Sequence, residues 1–157
     1  MSKIKSFRGQ IADRALETIA LHTNDGSTGY RIVKFLLFPA GATSAFNYES
    51  FVSIFKIPQT DTPPADATPD FADQTLLACG YYTQSASGSA NPEDMNIIFD
   101  NEIFNQDITL SHSNSDGASA INYYIELEQI KLDLNENTVA TLKDIRNIKS
   151  QWVNNII

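Results

Sequence analysis

The sequence predicts a mainly β protein: an antiparallel, jelly-roll-like β-sandwich of about seven or eight strands with a short C-terminal helix. Short stretches of β-branched and aromatic residues recur along the chain, and turn-forming residues separate them. No stretch alternates strands with helices of useful length, which disfavours a parallel α/β sheet. At 157 residues, with 42% hydrophobic residues, the chain has the size and composition of one soluble globular domain.

In the N-terminal third, alternating side chains predict a first strand from Phe7 to Ile11. Residues 13–22 fit both helical and strand spacing, so periodicity alone leaves both alternatives open. Turn formers at 24–29 and a run of β-branched and aromatic residues at 30–38 favour the strand. Two strands that flank such a turn would form a hairpin.

Residues 48–57 alternate with apolar groups on both faces, which predicts a strand covered on both sides and ended by Pro58. Residues 58–73 contain four prolines and four aspartates. Because proline interrupts strands and helices, this segment is predicted to be an extended surface loop, and loops of this length are usually functional or flexible. Shorter strands are predicted at 74–83, 95–99 and 106–111.

The clearest strand runs from Tyr123 to Lys131, where side chains alternate between an apolar and a polar face. The alternation weakens at its end, which predicts a bulge near Gln129. The turn at 114–117 suggests that this strand returns antiparallel to the strand at 106–111.

The period then changes, because Val139, Leu142 and Ile145 recur at three-residue steps, which predicts a short amphipathic helix at about 135–149. Asn135 is a good N-cap, and basic residues cluster toward the other end, as the helix dipole prefers. Residues 1–149 are therefore predicted to form one domain that includes this helix, and residues 150–157 an apolar tail.

The net charge of −8 is unevenly distributed: residues 57–130 carry twelve Asp or Glu and no Lys or Arg. Such an acidic middle repels phosphate backbones, so no nucleic-acid partner is expected. It either keeps the protein soluble or docks on a basic partner surface. No apolar run approaches the ~20 residues of a membrane span, and the N-terminus lacks the pattern of a secretory signal. The single Cys79 is expected to be a buried, inert thiol in a protein made in a reducing cytoplasm.

No catalytic, cofactor or metal motif is present. His22 and His112 lie far apart in sequence, and His112 is expected at a strand end with a solvated or hydrogen-bonded ring. A Ser–His–Asp site is not excluded by composition, although no Gly-x-Ser-x-Gly elbow occurs. The acidic loops leave calcium binding open, but their spacing matches no EF-hand. The expectation is a protein that is not an enzyme and uses no cofactor or metal.

Two segments resemble a known class of proteins: Asn96 to Ile108 (NIIFDNEIFNQDI) and Asn122 to Asn147 (NYYIELEQIKLDLNENTVATLKDIRN), with weaker support from Phe7-Arg-Gly-Gln10 and Gly29-Tyr-Arg-Ile32. Together they resemble virion structural proteins of marine tailed bacteriophages, notably those that infect cyanobacteria. The resemblance implies a non-enzymatic protein, made in the host cytoplasm and located in the virion. It implies a capsid decoration (cement) protein on the shell of major capsid protein, or alternatively a tail or neck component.

The expected partners are other virion proteins, either the major capsid protein or tail proteins, together with further copies of this chain, for example as a trimer. No membrane partner is expected. The candidate interface lies in the proline-rich loop and the tail, at Pro63, Pro64, Asp66, Pro69, Asp70, Trp152, Val153, Ile156 and Ile157.

A second hypothesis is a glycan-binding jelly-roll module. It rests on four tyrosines that would stack on sugars if they were exposed, namely Tyr81, Tyr82, Tyr123 and Tyr124.

Overall fold

The computed structural model describes residues 3–21, 27–40, 48–63, 68–84, 93–99, 102–115 and 118–132. Within these ranges the protein is mainly β, with two antiparallel sheets and no helix. The mainly β prediction is therefore confirmed. The predicted helix at about 135–149 and the tail at 150–157 lie outside the described residues.

Eight strands are present: β1 (Lys3–Ile11), β2 (Ala15–Ile19), β3 (Thr28–Pro39), β4 (Tyr48–Phe55), β5 (Leu76–Gln84), β6 (Glu93–Ile98), β7 (Ile108–Asn114) and β8 (Ile121–Lys131). The three-stranded sheet has the order β1-β8-β3, and the five-stranded sheet has the order β2-β7-β4-β5-β6. Each predicted strand is found, and the ambiguous segment at 13–22 contains a strand, as favoured from the sequence.

Strand β8 is the centre of the three-stranded sheet. Its apolar side chains Tyr123, Ile125 and Leu127 are buried, as the alternation predicts. Its ladder with β1 is continuous from Ile121 to Gln129, so the predicted bulge near Gln129 is wrong. The irregularity lies on the partner strand β3, between Ile32 and Lys34. There the extra residue lets both Ile32 and Phe35 point into the core.

Two predicted strand pairings are also wrong. Strands β2 and β3 do not form a hairpin, because β2 pairs with β7 and β3 pairs with β8. Strand β7 does not pair with β8, because its neighbours are β2 and β4. Turn residues mark where the chain reverses, but they do not say whether it re-enters the same sheet. The sheet that a strand joins is decided by the need to bury the apolar faces of both sheets in one core.

The two sheets share a single hydrophobic core, the arrangement expected of a β-sandwich. Gly80 in β5 shows how closely they pack. A Cβ atom at Gly80 would lie 2.8 Å from Leu37 Cδ1 and 2.9 Å from Phe35 Cε2, both on β3. The same Cβ atom would lie 2.7 Å from Asn96 Oδ1 on β6, so a larger residue at Gly80 requires neighbouring side chains to shift. Both sheets contribute fully buried side chains to this core, among them Val52, Ile54, Ala78, Ile108, Leu110, Ile121, Ile125 and Leu127.

The proline-rich loop contains no strand or helix in its described parts, 58–63 and 68–75, as predicted. It does not lie wholly on the surface, because Pro63 is buried. The carbonyl of Pro63 accepts a hydrogen bond from Arg14 Nε at 3.1 Å. Arg14 occupies the turn before β2 with a φ of 55°, a left-handed conformation uncommon for a residue other than glycine. This hydrogen bond thus connects the loop to the residue that precedes β2, the first strand of the five-stranded sheet.

Cys79 is buried, as predicted, and burial raises the pKa of its thiol.

Candidate functional site

The outer face of the three-stranded sheet, which points away from the other sheet, carries the candidate site. Ladder register places side chains from all three strands in rows across this face. Two adjacent rows lie at the end where β3 finishes. They consist of Arg8, Tyr124 and Leu36 in one row, and Gln10, Asn122 and Phe38 in the other.

These two rows border a groove of about 650 Å³, called here the Phe38 groove and lined mainly by Arg8, Leu36, Phe38, Asn122 and Tyr124. Phe38 is 71% exposed and Leu36 is 42% exposed. A single exposed apolar residue is ordinary on a protein surface, whereas a contiguous apolar patch marks an interaction site. The groove is therefore suited to binding an apolar group.

Hydrogen bonds fix the polar side chains at the end of the groove. Gln10 Nε2 donates to Asn122 Oδ1 at 3.1 Å, and Asn122 Nδ2 donates to the Pro39 carbonyl at 3.3 Å. The Tyr124 hydroxyl donates to Glu126 Oε1 at 2.8 Å. This hydrogen bond to a carboxylate is the main reason that the pKa of Tyr124 is raised. The ring of Tyr124 is thus anchored at the side of the groove.

Two cations, Arg8 and Lys34, and one carboxylate, Glu126, lie on this face beside the groove. Farther along the same face, Arg31 and Glu128 form an ion pair at 2.7 Å. Arg8 lies across Tyr124 from Leu36, and Lys34 lies opposite Glu126 in the ladder. Neither cation forms an ion pair with a carboxylate in the described ranges. Two cations therefore stand next to an exposed apolar surface.

A second surface feature lies in the proline-rich loop, at residues 69–75, called here the Phe71 turn. Asp70 Oδ1 accepts the backbone N–H of Ala72 at 2.9 Å. Asp73 Oδ1 accepts the backbone N–H of Thr75 at 2.8 Å and its hydroxyl at 2.7 Å. Asx turns of this kind fix the local backbone, so the segment is pre-organised.

Phe71 projects from this turn. It is 56% exposed, and its ring packs edge-to-face against Phe99 with the ring centres 4.9 Å apart. In the sequence this exposed ring lies between two aspartates, Asp70 and Asp73.

The structure describes three of the residues predicted as an interface. Asp70 is exposed and Pro69 is half-buried, and both belong to the Phe71 turn. Pro63 is buried and holds Arg14. The remaining predicted residues lie outside the described ranges; they are Pro64, Asp66, Trp152, Val153, Ile156 and Ile157.

The Phe38 groove was not predicted from the sequence. Its signal was present, since Leu36 and Phe38 stand two residues apart and so share one face of a strand. The sequence did not reveal which face of that strand is covered.

The four tyrosines of the glycan hypothesis do not form one surface. Tyr82 and Tyr123 are buried. Tyr81 is half-buried, and its ring packs against Phe51 with the centres 5.0 Å apart. Tyr123 and Tyr124 both border the groove, but Tyr123 is buried, so Tyr124 alone of the four combines exposure with a place beside the groove.

His112 lies in the core between the sheets. Its Nε2 atom is 3.1 Å from Ser50 Oγ, and its Nδ1 atom is 3.0 Å from the carbonyl oxygen of Ala12. The hydrogen-bonded ring predicted for His112 is confirmed, whereas a solvated ring is wrong because the residue is fully buried. The group at Nδ1 is a backbone carbonyl where a catalytic triad has a carboxylate. As arranged, the pair is a structural contact that no substrate can reach.

Within the described ranges, no group of three or more His, Cys, Asp or Glu side chains is close enough to hold a metal ion. The same part of the chain contains no helix long and apolar enough to cross a membrane.

Comparison of the sequence with protein-family models gives no match, and comparison with curated proteins gives none either.

Proposed function

We propose that this protein is a non-enzymatic structural subunit of a bacteriophage virion, a capsid decoration protein on the shell of major capsid protein. The observation that carries the proposal is the Phe38 groove, an apolar surface held open on a rigid sheet with a cation beside it. The resemblance of residues 96–108 and 122–147 to virion structural proteins of marine tailed phages supports the location in a virion.

A jelly-roll scaffold with a C-terminal helix belongs to this proposal. In a jelly roll, an antiparallel ribbon of eight strands wraps around a core, so that the first strand pairs with the eighth, the second with the seventh, the third with the sixth and the fourth with the fifth. The pairs β1–β8, β2–β7 and β4–β5 support the assignment. Strand β6 pairs with β5 instead of β3 but lies against β3 as well.

The groove suits binding by contact because its walls are already ordered. Strand ladders hold the backbone, and the hydrogen bonds of Asn122 and Tyr124 hold two of the side chains. A pre-organised surface loses little conformational entropy when a partner binds, so even a small contact contributes affinity. The acidic segment 57–130 directs the protein away from packaged DNA and toward protein partners.

A tail or neck component is the alternative location in the particle. Copy number separates the two. A decoration protein covers the shell in hundreds of copies, whereas a tail or neck part is present in about a dozen copies or fewer.

A glycan-binding module is the second candidate function. It is favoured by one observation: the groove combines the exposed ring of Phe38 and the ring of Tyr124 with the amides of Gln10 and Asn122. Aromatic rings that stack on sugars beside fixed amides are a common way to bind carbohydrate. A glycan array probed with the purified protein tests this function, and an array without any bound sugar removes it.

Quantitative mass spectrometry of purified virions tests the virion proposal. We expect the protein in the particle at a copy number near that of the capsid subunits. Its absence from particles would falsify the proposal, and a copy number of about a dozen would move it to the tail or neck.

A second measurement links the groove to this role. Phe38→Ser is expected to reduce loading of the protein onto particles at least tenfold. Ile4→Ser is the matched control, because Ile4 is 52% exposed on the same sheet face but lies at the opposite end of β1. Equal loading of both variants would show that the groove has no part in assembly.

A further inference from the structure

We propose that the occupant of the Phe38 groove is the Phe71 turn of a second copy of this chain, in a head-to-tail contact. The inference rests on the proposed docking role of the groove. It does not depend on the location of the protein in a virion.

The apolar parts of the two surfaces match. Phe71 exposes more than half of its ring, and the contact with Phe99 holds that ring in one orientation. The groove offers the side chains of Leu36, Phe38 and Tyr124 around an open space. An aromatic anchor inserted in an apolar pocket is the usual centre of a protein interface.

The charges also match. Asp70 and Asp73 stand on either side of Phe71 in the sequence, and on the groove side the two cations Arg8 and Lys34 outnumber the one nearby carboxylate, Glu126. The turn hydrogen bonds use only part of the acceptor capacity of each aspartate, because an ionised carboxylate has about four acceptor sites. Both carboxylates therefore remain able to pair with the cations of a neighbouring copy.

The two surfaces belong to different parts of one molecule. Phe99, the ring partner of Phe71, donates its backbone N–H to the Leu77 carbonyl in β5, in the five-stranded sheet. The groove lies on the side of the three-stranded sheet that points away from β5. The contact is therefore expected between copies. It joins unlike patches, so repetition closes a ring, such as a trimer, or extends a chain.

The contact is small, since one ring and two charge pairs bury much less than the ~1,200 Å² of a standard stable interface. A dissociation constant on the order of 0.1–1 mM is expected for the isolated protein. On a particle, many such contacts between copies already held at high local concentration would act together.

Sedimentation velocity of the purified protein from about 10 μM to about 1 mM tests the inference without any particle. The wild-type mass is expected to rise with concentration. Phe38→Ser and Phe71→Ser are each expected to remain monomeric, whereas the control Ile4→Ser associates like the wild type. All three side chains are largely exposed, so each variant is expected to fold. Urea unfolding of each variant checks this.

Mixing the two defective variants gives the decisive result. The Phe71→Ser protein keeps an intact groove, and the Phe38→Ser protein keeps an intact turn. A head-to-tail contact therefore allows one of each to pair, and the mixture should stop at a heterodimer. A mixture that stays monomeric overturns the inference, as does a wild type that stays monomeric at about 1 mM.

Salt and a charge variant provide an independent check. Raising NaCl from about 0.05 M to about 0.5 M should weaken wild-type association several-fold, because salt screens exposed charge pairs. Arg8→Gln should weaken association at low salt and reduce its salt dependence. Association that strengthens with salt would show that the charge pairing is wrong. Because no virion is present, failure here leaves the virion proposal standing, and absence from virions leaves this contact standing.

Discussion

The imidazole of His112 and the hydroxyl of Ser50 meet in the buried core, with Nε2 and Oγ 3.1 Å apart. The backbone carbonyl of Ala12 can only accept, so the Nδ1 atom of His112 must carry a proton and donate to it. In the neutral ring, Nε2 is then an acceptor for the Ser50 hydroxyl. Ser50 Oγ in turn accepts from Asn114 Nδ2 at 2.8 Å. The three polar side chains thus form one directed chain between β4 and β7.

Ser50→Ala is expected to destabilise the protein by about 1–3 kcal/mol, because it removes the group that joins the His112 and Asn114 side chains in a buried site. Urea unfolding measures this change. Ser53→Ala is the control, since Ser53 lies on the same strand but faces away from the core and should change stability by less than about 0.5 kcal/mol. Equal effects of the two substitutions would contradict this account of the hydrogen-bond chain.

The Tyr123 hydroxyl on β8 donates to Glu17 Oε1 on β2 and so links the two sheets. Burial, and then the bonded carboxylate of Glu17, raise the pKa of Tyr123 well above its usual value near 10. Below pH ~10 the phenol is neutral in both the folded and the unfolded chain, so its full contribution to stability is present. Above that pH the unfolded chain releases a proton that the folded protein retains, and stability falls.

The wild type is therefore expected to lose about 1 kcal/mol more stability than Tyr123→Phe between pH 10 and pH 11. Denaturant unfolding of both proteins at pH 8, 10 and 11 measures the difference. A difference between the two proteins that stays constant over this range would mean that Tyr123 does not titrate as its contacts require.

Lys56 follows β4 and is buried, with its side chain only 4% exposed and its Nζ atom 2.9 Å from Glu102 Oε1. Glu102→Gln is expected to destabilise the protein by about 1–3 kcal/mol, because it removes the carboxylate that balances a buried ammonium group. Adding Lys56→Met should restore part of the loss, since the double variant no longer buries a charge. Thermal unfolding of the two single variants and the double variant gives the coupling between the residues. Glu49→Gln, at an exposed carboxylate, is the control, and additive single effects would argue against coupling.

Gly80→Ala is expected to destabilise the protein by about 1–3 kcal/mol, because the added methyl group would overlap Leu37 and Phe35 on the facing sheet. Leu37→Ala in the same protein should relieve part of this overlap, so the double variant should lose less than the sum of the two single losses. Guanidinium unfolding measures all three. Full additivity would mean that Leu37 does not limit the space at Gly80, and that the overlap with Phe35 and with Asn96 on β6 causes the loss.

Much of the secondary structure is predictable from the sequence, because it depends on local pattern. The alternation of Tyr123, Ile125 and Leu127 predicts both the strand and the buried face of β8. Pro58 and the prolines that follow predict the break after β4. These signals are local because each side chain responds to the residues two positions away on its own strand.

Strand pairing was the part that local pattern could not give. The turn residues at 114–117 predict that β7 and β8 are neighbours, but β8 enters the other sheet. The Phe38 groove was missed for the same reason. Leu36 and Leu37 are adjacent and equally apolar, and only the position of the second sheet, at Gly80, buries Leu37 and leaves Leu36 exposed.

The sequence by itself determined the mainly β class, the approximate positions of the strands, the acidic middle and the proline-rich loop, because spacing, proline and charge act within a few residues. The tertiary structure decided which strands are neighbours, which face of β3 stays open, and that Arg8 of β1 borders the same groove as Phe38 of β3. Those relationships join residues far apart in the chain. They follow from burying two sheets in one core, which no short stretch of sequence can specify alone.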